Sequence, residues 1–175
     1  VPLDDFDDEF DAWLRDRFQS PLRGLAPIAE APPQQSGIPA LEDFVRQHPG
    51  DLLARMRLGG LLVHEERFDE AKPHLDAALR IFPDYGGPDS PLWFLSRVHR
   101  ANGDLGRAAA ALERLNTLSE SNYAALLEEA DVHAATGNTA GAARALAKVN
   151  YVYPYEVQNH LRFAELAAAS GDMDG

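Results

Sequence analysis

The histidines are the residues of this chain that are best suited to chemistry, because a histidine at the right distance from a second ligand binds zinc. His64 precedes two glutamates, but the second histidine of a zinc-binding His-Glu-x-x-His helix is absent. His99 and His133 are 34 residues apart, and such a spacing is typical of a structural repeat. We therefore predict structural roles for both histidines in the core and no metal site.

Other catalytic signatures are also missing from the sequence. The chain has no cysteine, so it has no thiolate nucleophile, no disulfide and no cysteine metal site. It contains neither a phosphate-binding loop nor a Gly-x-Ser-x-Gly motif. We therefore predict that this chain is not an enzyme, with no catalytic residues and no cofactor.

Charge and hydropathy restrict the class of partner. The net charge is −12, which disfavours nucleic acid because phosphates require a basic surface. No apolar run is long enough to span a membrane. Hydrophobic residues make up 45% of the 175 residues, enough for a packed core. These properties fit a cytoplasmic or an extracytoplasmic protein, so they leave the compartment unassigned.

A signature of four positions, separated by four, three and five residues, recurs along the chain. Its copies are Ala71, Leu75, Ala78 and Pro83; Ala108, Leu112, Leu115 and Glu120; and Ala142, Leu146, Val149 and Pro154. The last two copies are 34 residues apart and the first two are 37 apart. The additional residues fit the turn-rich segment 85–88. A fixed period of this length predicts stacked helical repeats.

Glycines and other small residues repeat in the same register. Gly103, Gly137 and Gly171 are 34 residues apart and predict sharp turns with a left-handed backbone. Gly59, Ser96, Ala130 and Ala164 share another repeat position, where a small side chain lets two helices approach. The pattern resembles the tetratricopeptide repeat (TPR) family. This resemblance implies an all-α, right-handed solenoid of antiparallel helix pairs that binds other proteins.

The sequence divides into an appendage and a repeat array. An amphipathic acidic helix is predicted at 1–19, with an apolar face formed by Phe6, Phe10, Trp13 and Phe18. A Pro-rich linker follows at 20–39. The predicted TPR array at 38–175 consists of a half-repeat at 38–50, full repeats at 52–85, 89–121 and 123–155, and a partial repeat at 157–175.

The TPR resemblance also implies a binding groove, lined in this family by the first helix of each repeat. The predicted groove residues are Arg57, His64, Trp93, Phe94, Arg97, Arg100, Glu128, Asp131 and Arg162, with Leu127, Leu161 and Glu165 at further inward positions. Arginines beside Trp93 favour a peptide carboxylate or an acidic loop. The alternative is a structural one. In it, Trp93 and Phe94 pack under the segment 86–88, and Arg97 and Arg100 pair with Glu128 and Asp131.

The best-known ligand mode of the family, a clamp of Lys, Asn and Arg residues for chaperone tails, does not match this chain. Its positions are occupied here by residues such as Met56, Gly60 and Phe94. We therefore expect a different ligand and no function as a chaperone adaptor.

Residues 3–23 give a second resemblance. They look like the closing helix of bacterial zinc metallopeptidases with gluzincin-like domains, in which TPR arrays follow the catalytic domain. None of the zinc ligands lies in this chain. Three functions therefore stay open. The first is a protein-interaction scaffold that binds a peptide or protein segment. The second is a non-catalytic C-terminal tail of a secreted or periplasmic metallopeptidase. The third is self-association, as a homodimer through residues 3–19 and the open fourth repeat.

Overall fold

The structure is a computed structural model that describes the backbone of residues 3–24 and 37–170, and the side chains of 7–19, 21–24 and 37–170. The described residues form helices and connecting turns. The helices are α1 Leu3–Gly24, α2 Ile38–Gln47, α3 Leu52–His64, α4 Phe68–Ile81, α5 Pro91–Ala101, α6 Leu105–Leu118, α7 Tyr123–Ala135, α8 Thr139–Val152 and α9 Val157–Ser170. Residues 25–36 of the predicted linker and the turn predicted at Gly171 lie outside the described residues.

The chain forms two compact units, Val1–Asp84 and Tyr85–Gly175. No helix in the described part of either unit is long and apolar enough to cross a membrane.

The first unit is built on the packed pair α3 and α4, with α2 against α3. Leu58, Leu62 and Leu75 are fully buried in its core. Gly59 brings the two helices close together, because a Cβ atom at this position would lie 2.5 Å from Leu75 Cδ2. The predicted requirement for a small residue is thus confirmed at Gly59.

Helix α1 continues beyond its predicted end at residue 19 and includes Pro21. A proline inside a helix removes one backbone hydrogen bond, so the sequence favoured an earlier end. Tertiary packing compensates, since Pro21 and Gly24 are buried. A Cβ atom on Gly24 would lie 2.6 Å from Ile81 Cγ2 and 3.1 Å from Leu52 Cβ.

Further contacts attach the second half of α1 to the end of α4. The rings of Phe18 and Phe82 are 6.4 Å apart and nearly perpendicular, and Arg17 forms an ion pair with Asp84. The first half of the helix is different, because Phe10 and Trp13 are exposed and stack on each other.

The second unit consists of the pairs α5–α6 and α7–α8, followed by α9 packed on α8. Its fully buried residues include Leu112, Leu115, Leu126, Leu146 and Val149. Phe163 and Leu166 of α9 pack against the core formed by α7 and α8. Two turns of this unit have the predicted left-handed glycines, Gly103 at φ 73° and Gly137 at φ 74°.

Side-chain caps begin the helices after these turns and fix where each helix starts. In the second unit, Asp104 accepts a hydrogen bond from Arg107 N at 3.0 Å. Asn138 accepts one from Gly141 N at 2.9 Å. The turn, the cap and the first buried residue of the next helix therefore recur together.

Candidate functional site

The first helices of the repeats in the second unit, α5, α7 and α9, contribute to one surface. Arg100 Nη1 on α5 lies 2.5 Å from Glu128 Oε1 on α7. Arg162 Nη2 on α9 lies 2.6 Å from Asp131 Oδ1 on α7. Because one ion pair joins α7 to α5 and the other joins α7 to α9, the side chains on this side of the three helices form a continuous face.

We call this surface the A face. It is formed by Trp93, Phe94, Arg97, Arg100, Leu127, Glu128, Asp131, Leu161, Arg162 and Glu165. Trp93 and Phe94 are half-buried, and Arg97 is exposed. The A face therefore combines aromatic area with charged groups that water can reach.

The ion pairs differ from those that the structural alternative predicted. Arg100 does bind Glu128, but Asp131 binds Arg162 of α9, the first helix of the next repeat. Arg97 forms no ion pair with any residue in the described part of the chain. One arginine of the predicted cluster thus has a structural partner, and the other presents its guanidinium to solvent.

The remaining predicted groove residues, Arg57 and His64, lie on α3 in the first unit. Arg57 is half-buried and His64 is exposed. The predicted site is therefore divided between the two units, and the A face contains the members that belong to the second.

A buried polar cluster, which the sequence analysis did not identify, lies between α6 and α7. Glu129 and His133 are 6% and 5% exposed, and Glu113 reaches them from α6. His133 Nε2 is 3.1 Å from Glu113 Oε1 and 3.8 Å from Glu129 Oε1. This grouping resembles a metal site. The spacing of Glu129 and His133, one helical turn apart, is the signal that could have found it.

Hydrogen bonds to His133 argue against a metal in this cluster. Asn138 uses its Oδ1 to accept from Gly141 N, so its Nδ2, 3.1 Å from His133 Nδ1, donates to that ring nitrogen. The neutral imidazole then bears its proton on Nε2, which donates to Glu113. A metal would require the lone pair of Nε2. The cluster is better explained as a hydrogen-bond network.

Asn116 completes this network from α6. It is buried, and its Nδ2 donates to Glu129 Oε2 at 2.6 Å. A buried carboxylate is destabilising unless donors surround it. The donor from Asn116 therefore helps Glu129 to lie in the core, and the cluster joins α6 to α7.

Paired helices with small residues at their contacts, joined by short turns at a fixed period, define a helical-repeat protein. The sequence profile described as tetratricopeptide repeat matches residues 35–86 and 95–150. These segments make up more than half of the chain, which therefore belongs to the tetratricopeptide repeat family and has the all-α fold of a TPR solenoid. A comparison with curated protein sequences finds no match.

Solved TPR structures resemble the chain in fold. MamA gives a TM-score of 0.67 at 16% identity, with 78% of this chain and 73% of MamA covered. YrrB, described as a TPR protein with an unusual peptide-binding site, gives 0.64 at 19% identity, with coverage of 78% and 69%. The putative kinesin light chain repeats of Podosopora anserina give 0.60 at 19% identity, with coverage of 91% and 84%. At these identities the similarity shows the fold alone.

Proposed function

We propose that this chain is a protein-interaction scaffold whose A face binds a peptide or protein segment and that it performs no chemistry itself. The observation that supports this function is the ion pairing on the A face. Arg100 is neutralised by Glu128, and Arg162 is neutralised by Asp131. Arg97 is exposed, one helical turn after the half-buried Trp93.

The chemistry of these two residues suits a protein ligand. Arg97 offers a planar, permanently charged donor group that binds a carboxylate through two hydrogen bonds. Trp93 offers a rigid aromatic surface, and tryptophan and arginine are the residue types that dominate binding energy at protein interfaces. A peptide-binding site is also described for YrrB, which has the same fold.

A random peptide library displayed on phage tests this function, because such a selection requires no identified partner. We expect the chain to enrich a set of peptides that the variants Arg97→Glu and Trp93→Ala no longer capture. Arg144→Glu is the matched control, because Arg144 is an exposed arginine on α8, a second helix of its repeat. Circular dichroism checks that each variant is folded.

Two outcomes would contradict the proposal. One is the absence of any enriched peptide. The other is enrichment that survives Arg97→Glu and Trp93→Ala but is lost with Arg144→Glu, since the binding surface would then lie on the second helices.

The metallopeptidase tail stays a prediction, and a His-Glu-x-x-His motif encoded upstream of Val1 would support it. Self-association also stays a prediction. The metallopeptidase tail is compatible with peptide binding by the A face, whereas a dimer through α9 would compete with it, because Leu161 belongs to both surfaces.

A further inference from the structure

Two parallel rows of side chains cross the A face from α5 to α9. Each helix contributes one residue to each row, four positions apart, so the two residues are neighbours on the same side of the helix. The apolar row is Trp93, Leu127 and Leu161, and the charged row is Arg97, Asp131 and Glu165. Leu161 is 53% exposed, so the apolar row remains accessible at its α9 end.

The net charge of the A face is distributed unevenly along these rows. The pairs Arg100–Glu128 and Asp131–Arg162 neutralise its centre. Arg97 on α5 and Glu165 on α9 form no ion pair with any residue whose side chain the structure describes. One end of the A face is therefore positive and the other end is negative.

The spacing of the helices sets the register of a ligand that follows the rows. Packed helices lie about 8–10 Å apart, and we expect a spacing of about 10 Å from α5 to α7 and from α7 to α9, because ion pairs connect these helices. An extended chain in the polyproline II conformation rises about 3.1 Å per residue and has three residues per turn. It therefore advances from one helix to the next in about one turn, and side chains three positions apart lie on the same side. The distance from α5 to α9 then corresponds to about six residues.

The width of the apolar row favours an extended ligand over a helix. Neighbouring side chains four positions apart are about 5–6 Å from each other, so the charged row begins at once beside the apolar row. A helix has a diameter of about 10–12 Å with its side chains and would cover the ion pairs of the A face. An extended segment follows the apolar row and leaves the ion pairs in water.

We infer that the ligand of the A face is an extended segment of mixed charge. It has apolar residues at every third position over Trp93, Leu127 and Leu161. It has an acidic residue for Arg97 and, about six residues away, a basic residue for Glu165. This inference rests on the proposed function and adds to it the charge pattern and register of the ligand.

The test is a selection of peptides from a random phage library. The displayed peptides have about 12 residues, which is long enough to span all three helices. The library is selected separately on the unmodified chain and on the variants Glu165→Arg and Arg97→Glu. The unmodified chain should enrich sequences with one acidic and one basic residue about six positions apart. Glu165→Arg should replace the basic residue by a second acidic one. Arg97→Glu should replace the acidic residue by a second basic one. The control Arg144→Glu should leave the pattern unchanged.

A synthetic peptide with the enriched sequence then gives the size of the effect. Because exposed ion pairs are weak, Glu165→Arg should lower its affinity by about 3- to 10-fold, measured by fluorescence polarisation. A second peptide, with its basic residue replaced by glutamate, should bind Glu165→Arg more tightly than the unmodified chain. If Glu165→Arg does not fold, the contact with Glu165 is tested on the unmodified chain, which should bind the glutamate-containing peptide more weakly than the enriched peptide.

The outcomes separate this inference from the proposed function. Peptides that require Trp93 and Arg97 but show no charge pattern, or that repeat apolar residues about every seven positions as a helix would, overturn the inference and leave the proposed function standing. A library that yields no peptide overturns both.

Discussion

His133 illustrates how a single hydrogen bond decides the chemistry of a residue. Asn138 Nδ2 donates to the Nδ1 atom of its ring, which leaves the Nε2 proton directed at Glu113. The same three side chains, Glu113, Glu129 and His133, would otherwise provide ligands for zinc.

We therefore predict that zinc does not stabilise the chain. A ligand that binds only the folded state at 100 times its Kd raises stability by about 2.7 kcal/mol, which differential scanning calorimetry would detect. We expect no rise in Tm when zinc is added in excess. A rise in Tm that disappears in Glu113→Gln would contradict our interpretation and establish a metal site.

His74 provides a second test at the residue scale, through the pH dependence of stability. Burial is the main cause that lowers the pKa of His74, and the nearby charge of Arg55 lowers it further, while Glu42 opposes them. The unfolded chain, with a histidine pKa of about 6.5, therefore binds this proton more readily than the folded chain. The stability that the neutral ring contributes is complete above that pH and is lost as the pH falls toward the lowered pKa.

We predict that His74→Gln weakens the decrease in stability between about pH 7 and pH 5. The measurement is the urea midpoint at a series of pH values. His64→Gln, at an exposed position on α3, is the control for loss of an imidazole. If the two variants change the pH dependence by the same amount, burial of His74 is not the cause.

At the scale of helices, the contact between α3 and α4 depends on the missing side chain of Gly59. A methyl group there would lie 2.7 Å from Leu75 Cγ, and Leu75 is fully buried, so it has no space to move. We predict that Gly59→Ala destabilises the chain by about 0.5–2 kcal/mol, because overpacking exceeds the gain in helix propensity.

Gly106→Ala is the matched control for this substitution. Gly106 also lies in a helix, but the nearest atom to its added methyl group is Asp104 Oδ1 at 3.8 Å. Here we expect stabilisation of up to about 1 kcal/mol from the reduced freedom of the unfolded chain. Urea unfolding of both variants measures the difference, and destabilisation of equal size would show that helix contact plays no part.

Periodic, local signals account for what the sequence could predict about the helices. The turns at Gly103 and Gly137 need a left-handed residue, so the glycines mark them directly. Glu66 has the same left-handed backbone, with φ 58°, although it is not a glycine. Its residue type therefore does not predict this conformation. The end of α1 was also unpredictable, because Pro21 is accommodated by contacts of Gly24 with residues far away in the sequence.

The binding surface was less predictable than the repeats. The sequence places Arg97 and Arg100 at positions that share a helix face, but it does not specify which acidic partner each arginine selects. The network around Glu129 was missed for the same reason, since its partner Asn116 belongs to another helix and no local pattern links them. The sequence therefore predicts the helices and their repeat, but not which side chains pair between helices.

At the scale of the whole molecule, the prediction of self-association rests on exposed apolar residues. Phe10 and Trp13 are 47% and 55% exposed on α1, and Leu161 is 53% exposed on α9. The net charge of −12 opposes association of two copies, and salt screens that repulsion. We predict a dimer whose fraction increases with salt and that is lost in the double variant Phe10→Ser, Trp13→Ser.

Size-exclusion chromatography with light scattering measures this mass at several salt concentrations. The double variant Arg15→Ser, Asp16→Ser changes two exposed polar residues of the same helix and should keep the dimer. A monomeric mass for the unmodified chain at all salt concentrations would remove self-association from the possible functions.

Helix α9 packs on α8, but most of its residues are exposed or half-buried. Asn159 is its one buried residue among 157–170, and it donates to the Tyr123 hydroxyl at 3.0 Å. We expect such a helix to open locally while α7 stays folded, so that its amide hydrogens exchange with deuterium first. A ligand that spans α5 to α9 would hold α9 closed. Part of its binding free energy would then be used to order α9, and binding would be detected as slower deuterium uptake there.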